Sequence, residues 1–283
     1  MTVTEANTLT GRIRGIALEG QITLPPLPEI GAKLLGLLEQ DSRASPGSVA
    51  ELIRLEPAIA ATILKTANSA AFGGLQAITD LTHAIPRLGV AQVSSIVTAL
   101  VHKGHFDHSS SDKQALLRVL WDHAVATAIT ARHISGMCGG DPEQAFLAGL
   151  LHDVGKLLVL KGVDFLEESP ETVNITPSVL AELMTDLHAE LGQRVLMEWN
   201  LPEPITQVAL RHHEEQPGTE EALLIRVQAA NAIARSVAAH PDPQPDLRLS
   251  EVAAVEQLGL SDVELGALLV DLEDELGEAK QLL

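Results

Sequence analysis

Most of what the sequence reveals about fold and chemistry comes from one stretch, Gly149-Leu150-Leu151-His152-Asp153-Val154-Gly155-Lys156. An apolar helical pattern leads into an adjacent histidine and aspartate, whose side chains on a helix would lie about 100° apart and could line one cavity. Lys156 follows His152 by four residues and lies near the same face if the helix continues. Because polar groups directed into a protein need partners, this stretch predicts contact with a metal ion, with a phosphate, or among the three side chains themselves.

Further histidines lie on helices predicted elsewhere in the chain, where they could join the His-Asp pair. They are His123, His188, His212 and His213. Four separate helices would then each deliver one or two side chains to a common site, which is how helical bundles build metal sites. Imidazole with carboxylate suits Fe, Mn, Zn or Ni, whereas a magnesium site would want more oxygen ligands.

Each of these side chains also has a purely structural interpretation, which the sequence leaves open. His152 and Asp153 could form a buried hydrogen-bonded pair that braces the bundle, and His188 could be a core histidine. His212-His213 at a helix end could complement the helix dipole. Lys156 could pair with a neighbouring acid instead of contacting a phosphate.

Composition favours a helical protein of ordinary domain size. The chain has 283 residues, of which 46% are hydrophobic and 20% charged, enough for one large domain or two small ones with a real core. Only 2% of residues are aromatic and there is no tyrosine, so the core must be built from Leu, Ala, Ile and Val. Alternating β-branched runs are nearly absent, and the predicted fold class is all-α.

The helical patterns divide the chain into two subdomains with flanking segments. Helices are predicted at 49–55, from 57 to about 68, at 80–88, 91–101 and 113–134, from 142, and at 176–200, 204–213 and 220–239, with a last pair beyond. An additional pattern covers Leu34 to Leu38. The predicted organisation is a flexible tail at 1–20, an N-terminal helical subdomain at 21–112, a second helical subdomain packed on it at 113–240, and a C-terminal helical extension at 241–283.

Charge and sorting signals exclude several classes of partner. There are 19 Lys plus Arg against 38 Asp plus Glu, for a formal charge of −19, so nucleic acid and anionic membranes are poor partners. The lack of aromatic stacking platforms also argues against binding of single-stranded nucleic acid. The lone Cys138 cannot form an internal disulfide, which fits a reducing compartment. No signal peptide or apolar membrane-spanning stretch is evident, and the predicted location is cytoplasmic.

The order of the histidines resembles the HD superfamily of metal-dependent phosphohydrolases, and other motifs narrow the resemblance to the HDOD domain, the HD-related output domain. These motifs lie within roughly 24–235: Leu24-Pro25-Pro26-Leu27-Pro28, Pro57-Ala58-Ile59-Ala60, Leu64, Ala67-Asn68-Ser69, Ala84-Ile85, Leu88-Gly89, Ala148 to Asp153, and Trp199-Asn200-Leu201-Pro202. The resemblance implies an all-α fold and a bacterial signalling role, usually without catalysis, as an output module of two-component or cyclic-dinucleotide regulation.

Two departures from the catalytic branch of that superfamily bear on mechanism. Active members carry a further aspartate on the last core helix, where this chain has Asn231. Two divalent ions would bring +4 against the single charge of Asp153, leaving about +3 uncompensated in a low-dielectric site. The sequence therefore predicts one divalent metal or none. The Gly-Tyr-Pro segment of cyclic di-GMP phosphodiesterases is also missing, because Glu214-Glu215-Gln216-Pro217-Gly218 follows His213.

These observations predict a non-catalytic signal-transduction module that binds signalling proteins, with a vestigial or single metal site of Fe, Mn, Zn or Ni. The predicted ligands are His123, His152, Asp153, His188, His212 and His213. The alternative is a metal-dependent phosphohydrolase or cyclic-dinucleotide phosphodiesterase, in which Lys156 would steady the phosphate. The sequence does not predict the oligomeric state.

Overall fold

The computed structural model confirms the all-α fold class. It describes residues 8–23, 45–54, 57–69, 72, 78–106, 108, 110–169, 175–215, 218, 221–237 and 243–282, and within these ranges there is no β-strand. The helices are α1 (Leu9–Leu18), α2 (Pro46–Arg54), α3 (Pro57–Ala67), α4 (Leu81–Leu88), α5 (Val90–Lys103), α6 (Ser111–Met137), α7 (Pro142–Leu151), α8 (Gly155–Glu167), α9 (Pro177–Glu198), α10 (Glu203–Arg211), α11 (Ala222–Ser236), α12 (Ala253–Leu258) and α13 (Asp262–Leu282). A single 3-10 turn, Leu249–Glu251, precedes α12.

The predicted helices are present with ends that differ from the prediction by a few residues. The cap of α2 is Ser45, whose Oγ accepts from the backbone N–H of Ser48 at 3.1 Å. At the start of α13, Ser261 and Glu264 form a reciprocal capping box. The predicted pattern at 34–38 lies outside the described residues.

The chain divides by its internal contacts into two compact units. Unit 1 comprises the described residues within Met1–Pro26 and Arg118–Leu269, and unit 2 those within Leu27–Leu117 and Val270–Leu283. The division at Arg118 lies inside α6, a few residues after the limit between residues 112 and 113 that the sequence predicted. The exact domain limits given by the sequence stay a prediction.

Unit 2 has an apolar core of aliphatic side chains. Its fully buried side chains include Ile53, Ile63 and Ile85, contributed by α2, α3 and α4. The side chain of Asn68, just past the end of α3, donates to the carbonyl of Ile78 at 2.7 Å and accepts from its N–H at 2.8 Å. Asn68 therefore ties the end of α3 to the chain just before α4.

In unit 1, α8 packs along α9, which in turn packs on α10, while α11 lies against α7, α10 and α12. The flexible tail predicted at 1–20 is wrong for residues 9–18, because α1 packs on both α8 and α9. Ile13 of α1 is fully buried, and a methyl group placed on Gly162 of α8 would lie only 2.8 Å from the Ile13 Cγ2 atom. The sequence of this segment is polar and weakly periodic because only a few of its residues make the packing contacts.

Within the described residues, no single helix has both the length and the apolar character needed to cross a membrane. Taken together, α4 and α5 have the length and the apolar composition of a membrane-spanning segment, but a bend of 104° separates the two helices. Leu81, Ile85, Val93 and Val97 of this pair belong to the buried core of unit 2.

Candidate metal centre

The His-Asp pair lies in a turn between two helices, not on one continuous helix. α7 ends at Leu151 and α8 begins at Gly155. Backbone bonds of the tighter i+3 type connect Val154 to Leu151 and Lys156 to Asp153, at 3.1 and 2.9 Å. The turn places Lys156 in the first turn of α8, from which its ammonium group donates back to the Asp153 Oδ2 atom. The salt bridge that the sequence offered as an alternative for Lys156 is therefore present.

Two glycines on either side of the pair set how closely the neighbouring helices approach. A Cβ on Gly149 would lie 2.9 Å from the Thr127 carbonyl oxygen and from the Ala128 Cα of α6. A Cβ on Gly155 would lie 1.9 Å from the carbonyl oxygen of His188 on α9. Because neither backbone could stay where it is with a side chain in the way, these glycines permit the His-Asp turn to sit between α6 and α9.

The imidazoles predicted from sequence converge on Asp153. Four side chains are nearly fully buried, those of His123, His152, His188 and His212, and His213 is more exposed. The ring centroids of neighbouring members lie 4.1 to 5.2 Å apart. His123 comes from α6, His188 from α9, and His212-His213 from the turn directly after α10.

The ligand atoms fall into two groups that share the Asp153 carboxylate. Half-site A consists of the Nε2 atoms of His188, His212 and His213 with the Asp153 Oδ1 atom, which lies 3.5 Å from both His188 and His212. Half-site B consists of the Nε2 atoms of His123 and His152, which lie 3.7 and 3.4 Å from the Asp153 Oδ2 atom. All six predicted ligands therefore lie in one place.

Hydrogen bonds to backbone carbonyls fix the tautomers of three of the rings. The Nδ1 atoms of His152, His188 and His212 face the carbonyl oxygens of Gly149, Met184 and Ala209 at 2.7, 2.6 and 3.0 Å. A carbonyl oxygen can only accept, so each Nδ1 must carry the proton and each neutral ring presents a bare Nε2 lone pair. A hydrogen bond from the far ring nitrogen to a backbone carbonyl is typical of metal-ligating histidines, because it fixes the orientation of the ring.

Burial keeps the rings of His188 and His212 neutral while Asp153 stays ionised. Burial lowers the pKa of His188 to about 4, although the nearby Asp153 carboxylate acts to raise it. Burial likewise lowers the pKa of His212 below its ordinary value. For Asp153, burial alone would raise the pKa, but His152 and the Lys156 ammonium hold it well below its usual range. Near pH 7 the pocket therefore offers the neutral imidazoles of His188 and His212 beside one carboxylate.

The donor set fits a divalent transition metal. The His188 Nε2 atom lies 3.2 Å from that of His212 and 3.0 Å from that of His213. Ligand atoms bound to one ion at usual metal–nitrogen distances lie about 2.9 to 3.5 Å from each other. In addition, the buried His152 Nε2 and Asp153 Oδ1 atoms have no hydrogen-bond partner of good geometry among the described residues. Imidazole-rich sites of this type take Zn, Fe, Mn or Ni.

An arginine clasp holds the segment that follows the His212-His213 pair. Arg211 donates two bonds to Glu214, both at 2.7 Å, and also pairs with Glu221. Gln228 of α11 donates to the Glu214 carbonyl at 2.8 Å. The carboxylate nearest in sequence to the histidines is thereby engaged by Arg211, and Asp153 is the only carboxylate in either half-site among the described residues.

Asn231 lies on α11, as the sequence predicted for the position of the missing acid. Its side chain is only 8% exposed, and its Oδ1 atom has no hydrogen-bond partner among the described residues. The amide brings no charge with which to balance a second cation.

Sequence reasoning named the candidate ligands but missed the residues that bring them together. Gly149 and Gly155 carried a usable signal, because glycine inside an apolar helical run is costly and indicates a close approach of backbones. The pairing of Arg211 with Glu214 and Glu221 was also missed. Its signal was present, because Arg211 and Glu214 are three residues apart at a helix end.

Comparison with curated proteins gives distant relatives. The chain is 28% identical over 220 residues to an uncharacterised protein of Treponema pallidum (strain Nichols), covering 74% of this chain and 42% of that protein. It is 26% identical over 235 residues to a Ribonuclease Y of Lawsonia intracellularis, covering 83% of this chain and 36% of that protein. The chain therefore spans less than half the length of these relatives.

The fold and the family model agree with one another. A crystal structure of an HDOD domain protein of unknown function from Geobacter sulfurreducens superposes with a TM-score of 0.70 at 21% identity, covering 96% of both chains. The family model described as HDOD domain matches residues 24–215, which include His123, the His-Asp pair, His188 and both histidines after α10. By this match and by its helical fold, the chain belongs to the HDOD family.

Proposed function

We propose that this chain is a signal-transduction output module that acts by binding partner proteins, and that its His/Asp pocket holds a single divalent transition metal. The observation that carries the proposal is the scarcity of negative charge in the pocket. Asp153 is the only carboxylate in the two half-sites among the described residues, and Lys156 already neutralises it. The module's partners are signalling proteins recognised on its surface.

The charge balance argues against a hydrolytic pair of ions. The Asp153 carboxylate and the Lys156 ammonium cancel one another, so each divalent ion would add its full charge to a buried site, and a second ion would also be repelled by the first. Side chains of Asp153 and Lys156 are only 10% and 13% exposed, so solvent screens this repulsion weakly. A two-ion hydrolase would need at least one additional anionic ligand here.

Occupancy of the pocket offers a route to regulation. His212 and His213 form the turn directly after α10, whereas His188 lies in the middle of α9. An ion shared by these residues would tie the end of α10 to α9 and limit the movement of the exposed residues Glu214 and Glu215. In this proposal, the mobility of these two residues and of the Arg211 clasp changes with metal occupancy, and partner affinity changes with it.

The competing function is a metal-dependent phosphohydrolase or cyclic-dinucleotide phosphodiesterase. It is favoured by one observation, the convergence of all six predicted ligands, and by the likeness to Ribonuclease Y, an enzyme by name. The chemistry that a bound metal would supply is activation of a water molecule as nucleophile. Lys156 has three N–H donors, so it could hold a phosphate oxygen while keeping its bond to Asp153.

Turnover measurements separate the two functions. Purified protein loaded in turn with Fe, Mn, Zn and Ni is incubated with cyclic dinucleotides, nucleotides and RNA, beside a His152→Ala, Asp153→Ala double variant. We expect no turnover that depends on these two residues, and metal content that falls in the double variant. Turnover present in the parent and absent from the double variant would overturn the proposal. His83→Ala, on the exposed surface of α4, is the matched control.

A second experiment tests the proposed protein interactions by proximity labelling in cells, with the full chain as bait. Partners captured by the parent and by His83→Ala, but lost with the double variant, support a docking surface controlled by the pocket. Identical partner sets for all three chains would contradict control by the pocket.

A further inference from the structure

We infer that the single ion occupies half-site A, and that the ammonium group of Lys156 takes the position of a second cation at half-site B. The inference rests on the proposed function because it assumes one ion. It goes further by assigning the ligands of that ion and by explaining why a second ion does not bind. The expected ligand set is His188, His212 and His213 through Nε2, with Asp153 through Oδ1.

In half-site A, the nitrogen lone pairs of two imidazole rings face one another with no proton between them. The Nε2 atoms of His188 and His212 lie 3.2 Å apart, and both rings carry their proton on the opposite nitrogen. Two acceptors at this distance repel one another unless a cation lies between them. The Asp153 Oδ1 atom, 3.5 Å from each, is buried and also lacks a hydrogen-bond donor among the described residues. These atoms have the separations and the electron pairs that one ion needs.

Half-site B already contains a cation. Lys156 Nζ donates to Asp153 Oδ2, the oxygen that also faces the Nε2 atoms of His123 and His152. A divalent ion bound there would have to share this oxygen with the ammonium group. Two like charges about 4 Å apart repel strongly in a site of low effective dielectric. The two oxygens of Asp153 are therefore divided between one metal ion and one lysine.

The donor set also limits the metal. Three imidazole nitrogens and one carboxylate oxygen favour Zn, Fe(II), Mn or Ni over Mg or Ca, which take mostly oxygen ligands. His213 is the exposed member of the set, so the ion would enter from its side and exchange with solvent there.

The assignment is tested by metal stoichiometry in variants of each half-site. The full chain is stripped with chelator, titrated with Zn(II) and Co(II), and assayed by calorimetry, elemental analysis and the visible spectrum of Co(II). The parent is expected to bind one ion. His213→Ala should weaken binding at least 10-fold and alter the Co(II) spectrum, whereas His123→Gln should keep one ion with a similar spectrum.

Substitution of the lysine tests the second half of the inference. Lys156→Met should raise the stoichiometry from one ion toward two at excess metal, because the ammonium no longer occupies half-site B. Lys161→Met is the matched control, since Lys161 is an exposed lysine on the same helix and should leave the stoichiometry at one. Circular dichroism and melting curves identify any variant that fails to fold, and His152→Gln replaces His123→Gln in that case.

Several results would overturn the inference. Two ions in the parent, loss of the ion in His123→Gln with retention in His213→Ala, or an unchanged stoichiometry in Lys156→Met would each do so. Failure of the proposed function is recognised separately, by turnover of a phosphodiester in the same samples. Two ions in the parent without turnover would refute the half-site assignment and the single-ion part of the proposed function, while the non-catalytic role would stand.

Discussion

Both units bury histidine, but only one of them builds a site from it. In unit 2, the buried ring of His102 packs edge-on against Phe106, with ring centroids 5.1 Å apart, and beside His105 at 5.6 Å. In unit 1, the rings of α6, α9 and the turn after α10 converge on a carboxylate, with three tautomers fixed by backbone carbonyls. The comparison shows that burial of a histidine does not identify a ligand. Convergence of unprotonated nitrogens on an anion is what makes the rings of unit 1 candidate ligands.

The two regions also differ in how backbones approach each other. Unit 2 is held by aliphatic side chains such as Ile53 and Ile63, and its buried Thr98 satisfies its hydroxyl by donating to the Ser94 carbonyl at 2.9 Å within the same helix. In unit 1 the helices near the site meet at glycines, so backbone atoms lie against backbone atoms. Loss of packing should therefore affect stability alone in unit 2, and stability together with metal binding in unit 1.

The largest effect is expected from Gly155→Ala. Its methyl group would lie 1.9 Å from the His188 carbonyl oxygen, so α9 must move away from the turn that carries Asp153. We expect a loss of about 3 kcal/mol or more in the free energy of unfolding, together with loss of metal binding, measured by chemical denaturation and calorimetry. Gly136→Ala is the control, because its Cβ would meet nothing within 4 Å on α6 and should be neutral or slightly stabilising. Tight metal binding by Gly155→Ala would refute the close-approach argument.

Ile63→Ala should give the complementary result in unit 2. Ile63 is fully buried in the apolar core, so its truncation leaves a cavity that costs about 2 to 4 kcal/mol. Calorimetric titration of the folded variant is expected to give the parent metal affinity and stoichiometry. A loss of metal binding comparable with that of Gly155→Ala would show that the site responds to any loss of stability.

His102→Leu should reduce the sensitivity of the protein to acid while leaving metal binding unchanged. Burial, with a contribution from His105, lowers the pKa of His102 to about 3, whereas the unfolded chain titrates near 6.5. Between these values the unfolded state binds the extra proton, so this residue costs stability as the pH falls below 6.5, by at most about 1.4 kcal/mol per pH unit. Above pH 6.5 it adds no pH dependence.

The measurement is the midpoint of unfolding of parent and variant between pH 7.5 and 4.5. The difference between the two chains should grow in favour of His102→Leu as the pH is lowered. A constant difference across this range would contradict the assignment of a proton uptake to His102.

The smallest effect is expected from Arg211→Gln. The pairs with Glu214 and Glu221 are partly exposed and screened by solvent, so their loss should change stability little. Because the clasp positions the turn with His212 and His213, we expect metal affinity to fall by up to about 10-fold, as measured by calorimetry. Arg248→Gln, which breaks an exposed pair with Glu251, should leave metal affinity unchanged. Equal affinities for both variants would show that the clasp is only a surface feature.

Much of the site could be predicted because its ligands are chemically distinctive. Histidines next to acids and inside apolar helical patterns are costly unless they have partners, so the sequence indicated His123, His188 and the pairs at 152–153 and 212–213. The continuous helix through Lys156 could not be predicted or refuted from periodicity, because apolar residues continue on both sides of the turn. The helix at residues 9–18 was missed since its burial comes from only a few residues, among them Ile13 and Ala17.

The sequence by itself determined the helical class, the family resemblance and the identity of the candidate ligands, because these follow from residue types and their spacing along the chain. Only the tertiary structure decided which nitrogen of each ring faces the pocket, how the two oxygens of Asp153 are divided, and where Lys156 lies. The physical reason is that these features depend on distances of 3 to 4 Å between residues far apart in the chain. Such distances are set by backbone contacts at Gly149 and Gly155, which leave no periodic trace in the sequence.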